Sequence, residues 1–405
     1  MKVMILSPQN PYPPIDGGKI SIFYPLKYMV KYGIEPILTF PYKRMLHEKS
    51  INNMQKIGIK VYPFRQDISD SVSKVVRNIF EKEPFKIKKY YSLGYLKYME
   101  EIIYKENPDI IQSQHIHMAN YAIKLNRKFN VPIILREHNI EYKLVEQFYN
   151  SENNFALKSI AYWQYLKTRR YEVNIWNYFN HVIFISSIDE KIALALNNRL
   201  KSSVIQDGVD IKEFSSLNIS KEPFSLIFTG GTYKTIQNVK SIVWFIKNVW
   251  SNIKRVEPRA KLYITGMNQD ILFRKLNDNE LKNQGITFLG FVNDIKRTIS
   301  RCEIYISPTI FGSGVRLKVL NAMALSMPVI CTSLDADTII GAKDHEHLMV
   351  ADDPAKFENA ILQLFNNESL RYKLGNNARK LIEDSFTWDC FIEKLINVYK
   401  NVYSI

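Results

Sequence analysis

The chain has 405 residues, 46% of them hydrophobic, and a formal net charge of +15. That length exceeds one ordinary core and suits two domains of roughly 150–200 residues, and the composition excludes a disordered or fibrous protein. No uninterrupted apolar run reaches about 18 residues, which predicts no transmembrane helix, and three cysteines without metal spacing (Cys302, Cys331, Cys390) predict a reducing, cytoplasmic setting.

The opening "MKVMILSPQNPYPP" reads as a first buried strand rather than a signal peptide. From there, short runs rich in Val, Ile and Phe alternate with longer stretches of helical spacing, the pattern of parallel sheets flanked by helices. Strands are predicted at "KVMILS" (2–7), "EPILTF" (35–40), "IKVYPF" (59–64), "DIIQSQ" (109–114), "PIILRE" (132–137) and "HVIFIS" (181–186), with "SSVIQ" closing the half near 206. Amphipathic spacing predicts helices over 18–31, 70–81, 92–105, 117–128 and 155–178. A polar connector, 207–223, interrupts the pattern. The alternation then restarts with strands at 225–230, 260–266, 285–290, 303–308 and 327–332, and helices at 238–252, 315–326 and 354–366. This is an α/β chain of two Rossmann-like domains expected to face each other across a cleft. The predicted divisions are a first domain at 1–206, a second at 207–385, and a C-terminal helix over 386–405 packing back toward the first domain.

The charge is unevenly placed. Residues 1–205 hold 30 Lys and Arg against 18 Asp and Glu, or +12, and the other 200 residues hold 25 against 22, or +3. Residues 74–105 interleave eight basic residues with Phe80, Phe85, Tyr90, Tyr91, Tyr95 and Tyr98. Basic and aromatic side chains together predict peripheral contact with an anionic membrane surface. The same field would attract nucleic acid, but no recognition motif accompanies it, so no nucleic-acid partner is expected.

Ligands in doubly wound sheets sit beyond the carboxyl ends of the strands, so chemistry is sought in the strand-to-helix turns. "PPIDGGK" (13–19) follows the first strand, and Gly17 and Gly18 let a ligand approach a helix N-terminus, although Pro-Asp-Gly is also ordinary turn chemistry. "LREHNIEY" (135–142) sets Arg136, Glu137 and His138 at the end of the fifth strand, where His138 could hydrogen-bond a substrate hydroxyl or be a satisfied structural histidine. "HIH" (115–117) and "HEH" (345–347) lack a further ligand at convincing spacing, so no metal is expected. "FTGGTYKTIQN" (228–238) opens the second domain with Gly230 and Gly231, and Lys234 hangs in that loop as a point charge for a phosphate. It is not a P-loop. In "GSGVRLKVLNAMALSMPVICT" (312–332), glycines bend the chain into a helix whose N–H groups around 314–316 offer an anion site beside Arg316 and Lys318.

Taken in order, these elements resemble the group-1 (family 4) glycosyltransferases of the GT-B fold. "PPIDGG", "EHNIEY", "VIQDGVD", "LIFTGGTYKTIQN", "ITFLGFVNDI", "GSGVRLKVLNAMALSMPVICT", "HEHLMVADDPAKF" and the closing "FTW" carry the resemblance through nearly the whole chain. It implies a retaining, metal-independent, hexosyltransferase-like enzyme with no cofactor. A sugar would move from a nucleoside-diphosphate donor to a hydroxyl of a glycan or lipid-linked acceptor, in bacterial-type surface polysaccharide synthesis. His138 would meet the transferred sugar, and Gly17 and Gly18 the donor or acceptor. Lys234, Arg316 and the amides of Gly314 and Val315 would hold the diphosphate, with Lys318 a weaker candidate because it could point along its helix. Phe291 and Val292 would cradle the base, and Gly230 and Gly231 would line the donor. The family's donor helix usually carries two glutamates, and those positions here are Ser313 and Asn321. A neutral hydrogen bond contributes about 1 kcal/mol against roughly 1.5–3 for a charged one, so Asn321 weakens the ribose contact without abolishing it. The alternatives are a nucleotide-sugar epimerase on the same plan, or a catalytically silent nucleotide-binding partner in a polysaccharide assembly complex.

Overall fold

The computed structural model describes all residues except 44–47, 70–71, 278–279, 281–284, 312–315 and 405. The chain divides into two units, Met1–Asp207 with Trp388–Ile405, and Gly208–Thr387.

The first unit holds seven parallel strands: β1 (Lys2–Leu6), β2 (Glu35–Tyr42), β3 (Lys60–Arg65), β4 (Ile110–Gln114), β5 (Ile133–Glu137), β6 (His181–Phe184) and β7 (Ser202–Val204). Their order is β3-β2-β1-β4-β5-β6-β7, so the winding direction reverses between β1 and β4. β4 (IIQSQ) and β5 (IILRE) are buried along their whole length, so their polar carboxyl ends, Gln112 to Gln114 and Arg136 with Glu137, lie inside the fold. Apolar side chains on the two faces feed separate helical layers. Met4, Ile111 and Leu135 pack with Tyr95, Tyr121 and Trp176, while Val3, Ile5, Ile134 and Ile183 pack with Ile22, Leu26 and the C-terminal helix. That last helix, Trp388–Tyr403, is part of this unit. Trp388 stacks on Tyr24 at 5.3 Å and the Tyr399 hydroxyl donates to Gln112 Oε1 at 2.6 Å.

The aromatic run of the first unit corrects one expectation. Tyr95 is fully buried, and Tyr90, Tyr91 and Tyr98 pack against the same core. The Tyr95 ring serves the fold alone and the other three are partly packed into it, whereas Phe80 stays 91% exposed.

The second unit carries β8 (Ser225–Thr232), β9 (Lys261–Met267), β10 (Ile286–Gly290), β11 (Ile304–Ser307), β12 (Val329–Cys331) and β13 (Met349–Val350). The order β10-β9-β8-β11-β12-β13 reverses between β8 and β11. β13 and the helix Glu368–Ser385 were not anticipated from the sequence. The predicted helix 238–252 runs from Ile236 to Val256, with a π-helical stretch at Ile246–Trp250. Helix starts follow local chemistry: Asp16 caps Gly17–Lys31 through the Lys19 N–H, and Asp353 caps Pro354–Asn366 through that of Lys356. Where the connector leaves the first unit, the Val209 N–H donates to the Phe386 carbonyl at 2.7 Å.

Candidate active site

In the second unit the candidate groups gather at the switch point between β8 and β11, where a doubly wound sheet opens a ligand crevice. Gly230 makes room for the Tyr233 ring, since a Cβ there would lie 2.3 Å from its hydroxyl oxygen. Gly231 has φ +64° and open space around it, so only glycine adopts that turn without strain. Asn238, on the helix that follows, donates to the Gly230 carbonyl and, at 3.0 Å, to that of Thr232, which fixes the loop. Its Oδ1 faces the Lys318 ammonium at 3.4 Å. Lys234 is exposed in the same loop.

Lys318 does not trail along its helix, and the expectation that it is the weaker candidate is corrected. Its Nζ sits 4.4 Å from the centre of the Phe228 ring, at the carboxyl end of β8. Burial, with a smaller contribution from Arg316, pushes its pKa down to about 7 despite Asp335 nearby. Arg316, by contrast, is tied back: Nε donates to Asp335 Oδ1 at 3.2 Å and Nη2 to the Phe311 carbonyl at 3.2 Å. Asp335 is 1% exposed and also accepts from Ser307 and Thr309, the residues that end and follow β11. Sequence reasoning missed Asp335, Asn238, Ser307 and Thr309. The hydroxyl pair directly after a buried strand was the available signal.

Asn321 is half-buried on the helix Leu317–Ala324, three residues past Lys318 and so on the same face. Phe291 follows β10 and is 67% exposed, with Val292 half-buried beside it. Ser313, Gly314 and Val315, and with them the expected helix N-terminus, lie outside the described residues.

In the first unit the carboxyl ends of β4 and β5 form a histidine cluster. His138 is 4% exposed, its Nε2 lies 2.8 Å from Gln114 Oε1, and its ring stacks on that of His115 at 3.9 Å. Burial, reinforced by the neighbouring His115 and Arg136, holds the His138 pKa well below the usual imidazole range. Burial likewise lowers His115 to about 3 and His117 to about 4. All three rings are therefore neutral near pH 7. Their nitrogens do not converge, and among the described residues no group of three His, Cys, Asp or Glu is placed to hold a metal ion. His115 has φ 63° and ψ 159°, a costly conformation for a side chain with a Cβ and one concentrated at functional sites. Gly17 and Gly18 open the helix after β1, where the first sheet reverses its winding between β1 and β4.

The strand neighbours of His138 turn out to be structural. Arg136 is fully buried, pairs with Asp207 and donates to the Ser21 carbonyl at 2.5 Å. Glu137 accepts from Trp176 Nε1 at 3.2 Å, and burial together with the nearby Glu172 raises its pKa. Glu172 accepts the Glu141 and Tyr142 amides at 2.8 Å and caps the helix Glu141–Ser151.

Comparison with known proteins follows the same division. Residues 223–367 match the family "Glycosyl transferases group 1". An uncharacterised 44.6 kDa protein of the cps region of Klebsiella pneumoniae is 22% identical over 392 residues, 95% of this chain and 96% of that protein. An uncharacterised glycosyltransferase of Methanocaldococcus jannaschii is 24% identical over 74% of this chain and 76% of its own length. Among solved structures, HepE of Anabaena in complex with UDP superposes with a TM-score of 0.73 at 14% identity, covering 99% of this chain and 100% of HepE. Sucrose-phosphate synthase of Thermosynechococcus elongatus gives 0.74 at 14% identity, covering 100% and 99%. Residues 223–367 thus form a group 1 glycosyltransferase domain, in a chain whose two doubly wound parallel sheets have the GT-B fold and whose similarity to glycosyltransferases extends over most of its length.

Proposed function

We propose that the chain moves a sugar, with retention of configuration, from a nucleoside-diphosphate donor to a hydroxyl of a glycan or lipid-linked acceptor in surface polysaccharide synthesis. The reading rests above all on Lys318. A desolvated ammonium with Asn238 beside it, at the carboxyl ends of β8 and β11, suits a diphosphate and little else in this family. The cps-region relative and a related capsular polysaccharide glycosyltransferase of Staphylococcus aureus, 28% identical over 29% of this chain, support the polysaccharide setting. HepE, crystallised with UDP, supports a nucleotide donor.

In this chemistry the acceptor oxygen bonds to the anomeric carbon as the bond to the diphosphate breaks, and a phosphate oxygen takes the acceptor's proton. Negative charge grows on the leaving diphosphate, and Lys318 and Lys234 stabilise it more in the transition state than in the ground state, with Arg316 held beside them by Asp335. That supply of fixed positive charge is what makes the proposed transfer metal-independent. Neutral His138, steadied by Gln114, hydrogen-bonds the transferred sugar without adding charge near a cation-like centre. The basic excess of the first unit favours an anionic acceptor or the membrane surface bearing it, on the cytoplasmic side where nucleotide sugars are made.

The test is purified protein against UDP-, GDP-, ADP- and TDP-sugars without added metal, scored by thermal shift and by release of nucleoside diphosphate. Stabilisation and slow release with one donor is the expected result, and NMR of a transfer product should show the donor's anomeric configuration. Interconversion of the free donor without an acceptor would instead select an epimerase. A folded protein that neither shifts nor releases diphosphate with any donor would overturn the transferase reading in favour of a silent partner.

A further inference from the structure

The first unit also carries a groove on its outer helical layer. Two adjoining cavities form it, of about 420 and 910 Å³, sharing Glu83, Tyr171 and Asn174. Both volumes fall in the range of roughly 300–1,000 Å³ typical of ligand pockets. The first lies against the helix Ala119–Phe129 and ends at Tyr178; the second lies between Phe80 and Trp163.

The lining is unusual in two ways. Its floor is aromatic: Tyr91, Tyr171 and Tyr178 in one cavity and Trp163, 46% exposed, in the other. Its rim is cationic. Lys82, Lys88, Lys124, Arg127, Lys167 and Arg170 stand against Glu81 and Glu83, six positive charges to two negative. Among the described residues no carboxylate lies within ion-pair distance of Lys88, Lys124 or Arg127. Lys124 and Arg127 rest instead over the faces of Tyr91 and Tyr178, at 5.6 and 5.4 Å. Glu83 is already engaged, accepting from Asn120, which in turn accepts from the Tyr171 hydroxyl.

We infer that this groove binds an extended acidic glycan, the already polymerised part of an anionic acceptor. Flat aromatic faces match the apolar faces of pyranose rings, amide and phenol groups match their hydroxyls, and unpaired cations match carboxylates spaced along a chain. A concave, elongated, wet groove suits a polymer better than it suits a planar lipid surface. The helix Ala119–Phe129 begins directly after β4, so the groove starts near the carboxyl edge of the first sheet and leads away from it. The inference rests on the transferase reading only in calling the glycan an acceptor.

The experiment titrates a long oligogalacturonate into the whole protein and follows Trp163 fluorescence, with a neutral maltooligosaccharide and phosphatidylglycerol vesicles as competing probes. The double variant K124E/R127E changes two exposed side chains and leaves the core intact. Saturable binding of the oligogalacturonate is expected, weakened by salt and weakened at least about tenfold in the variant, because like charge replaces opposite charge along the polyanion. Failure to prefer the acidic over the neutral glycan would overturn the proposal, as would an unchanged affinity in the variant. Loss of vesicle binding alone in the variant would reassign the face to a membrane, and loss of self-association alone would reassign it to a second copy of the chain. The thermal shift given by the nucleotide sugar, read in the same samples, keeps the two readings apart. A retained shift with no glycan binding sinks only the groove, whereas an absent shift sinks the transferase assignment.

Discussion

Lys318 shows how one side chain can be costly to the empty protein and useful to the loaded one. Its folded pKa of about 7 lies below the roughly 10.4 of an unfolded lysine. Between those values the unfolded chain binds more protons at this site, so the ligand-free protein gains stability as pH rises across that window and has lost that gain below about 7. A bound diphosphate would restore the charge. Donor binding at pH 8 should therefore take up close to one proton, measurable by calorimetry in buffers of different ionisation enthalpy, and affinity should fall as pH rises above 7. Lys318→Met should raise the melting temperature of the empty protein, by roughly 1–4 kcal/mol of stability as buried charge is replaced by apolar surface, and weaken the donor at least about tenfold. Loss of both stability and binding would show that the lysine supports the fold. The histidines have the same sign in a lower pH window. His115 and His117, held near 3 and 4, leave the unfolded chain with more protons from about pH 6.5 downward. Stability should fall as pH drops from 6.5 toward 4, and His117→Phe should flatten that fall. Since His138 stays neutral throughout, the acid limb of a kcat profile should carry no titration near 6.5; one that vanishes in His138→Gln would contradict the assignment.

At the scale of elements, the buried pair Arg136–Asp207 joins β5 to the point where the chain leaves the first unit. Removing one partner leaves a charge unpaired in the interior. Asp207→Ala should cost about 3–5 kcal/mol in denaturant unfolding, and the apolar replacement R136M/D207L should cost less than the single change. Equal costs would mean the loss is one of packing. In the second unit, Gly375 lets the helix Glu368–Ser385 approach the turn after Leu317–Ala324 so closely that a Cβ would lie 2.2 Å from the Ser326 carbonyl oxygen. Gly375→Ala should destabilise that unit by about 1–3 kcal/mol through overpacking. A variant as stable as the parent would mean the two helices slide apart without loss. Much of this level was legible beforehand. Twelve of the thirteen strands were placed, since parallel strands buried on both faces leave unbroken apolar runs. β13 was missed because two residues carry no periodicity.

For the molecule as a whole, each unit has its own buried cores, built from its own strands and helices. The charge divides with them. Residues 1–207 and 388–405 hold 32 basic and 21 acidic side chains, or +11, leaving +4 for residues 208–387. Calorimetry should resolve two unfolding transitions, and a saturating nucleotide should raise one of them. At a hundredfold excess over Kd the gain is about 2.7 kcal/mol. Lys318→Met should abolish that gain and leave the other transition where it was. A single transition that moves as one with nucleotide would show that the units unfold together.

Strand positions, the two-unit plan and the family resemblance were readable from the sequence because they depend on local signals: apolar runs, helical spacing, glycine turns and their succession. The partners of individual side chains were not. Arg316 looked like a free phosphate ligand until Asp335, nineteen residues later, took its guanidinium; Lys318 looked peripheral until Phe228 and Asn238 closed round its ammonium. Arg136 and Glu137 looked like neighbours of the chemistry and proved to be buried structural groups, and four tyrosines that suggested a surface were packed on the core. Which of two cations stays available for a ligand is decided by groups far away in sequence, through burial and pairing, and only the folded chain brings those groups together.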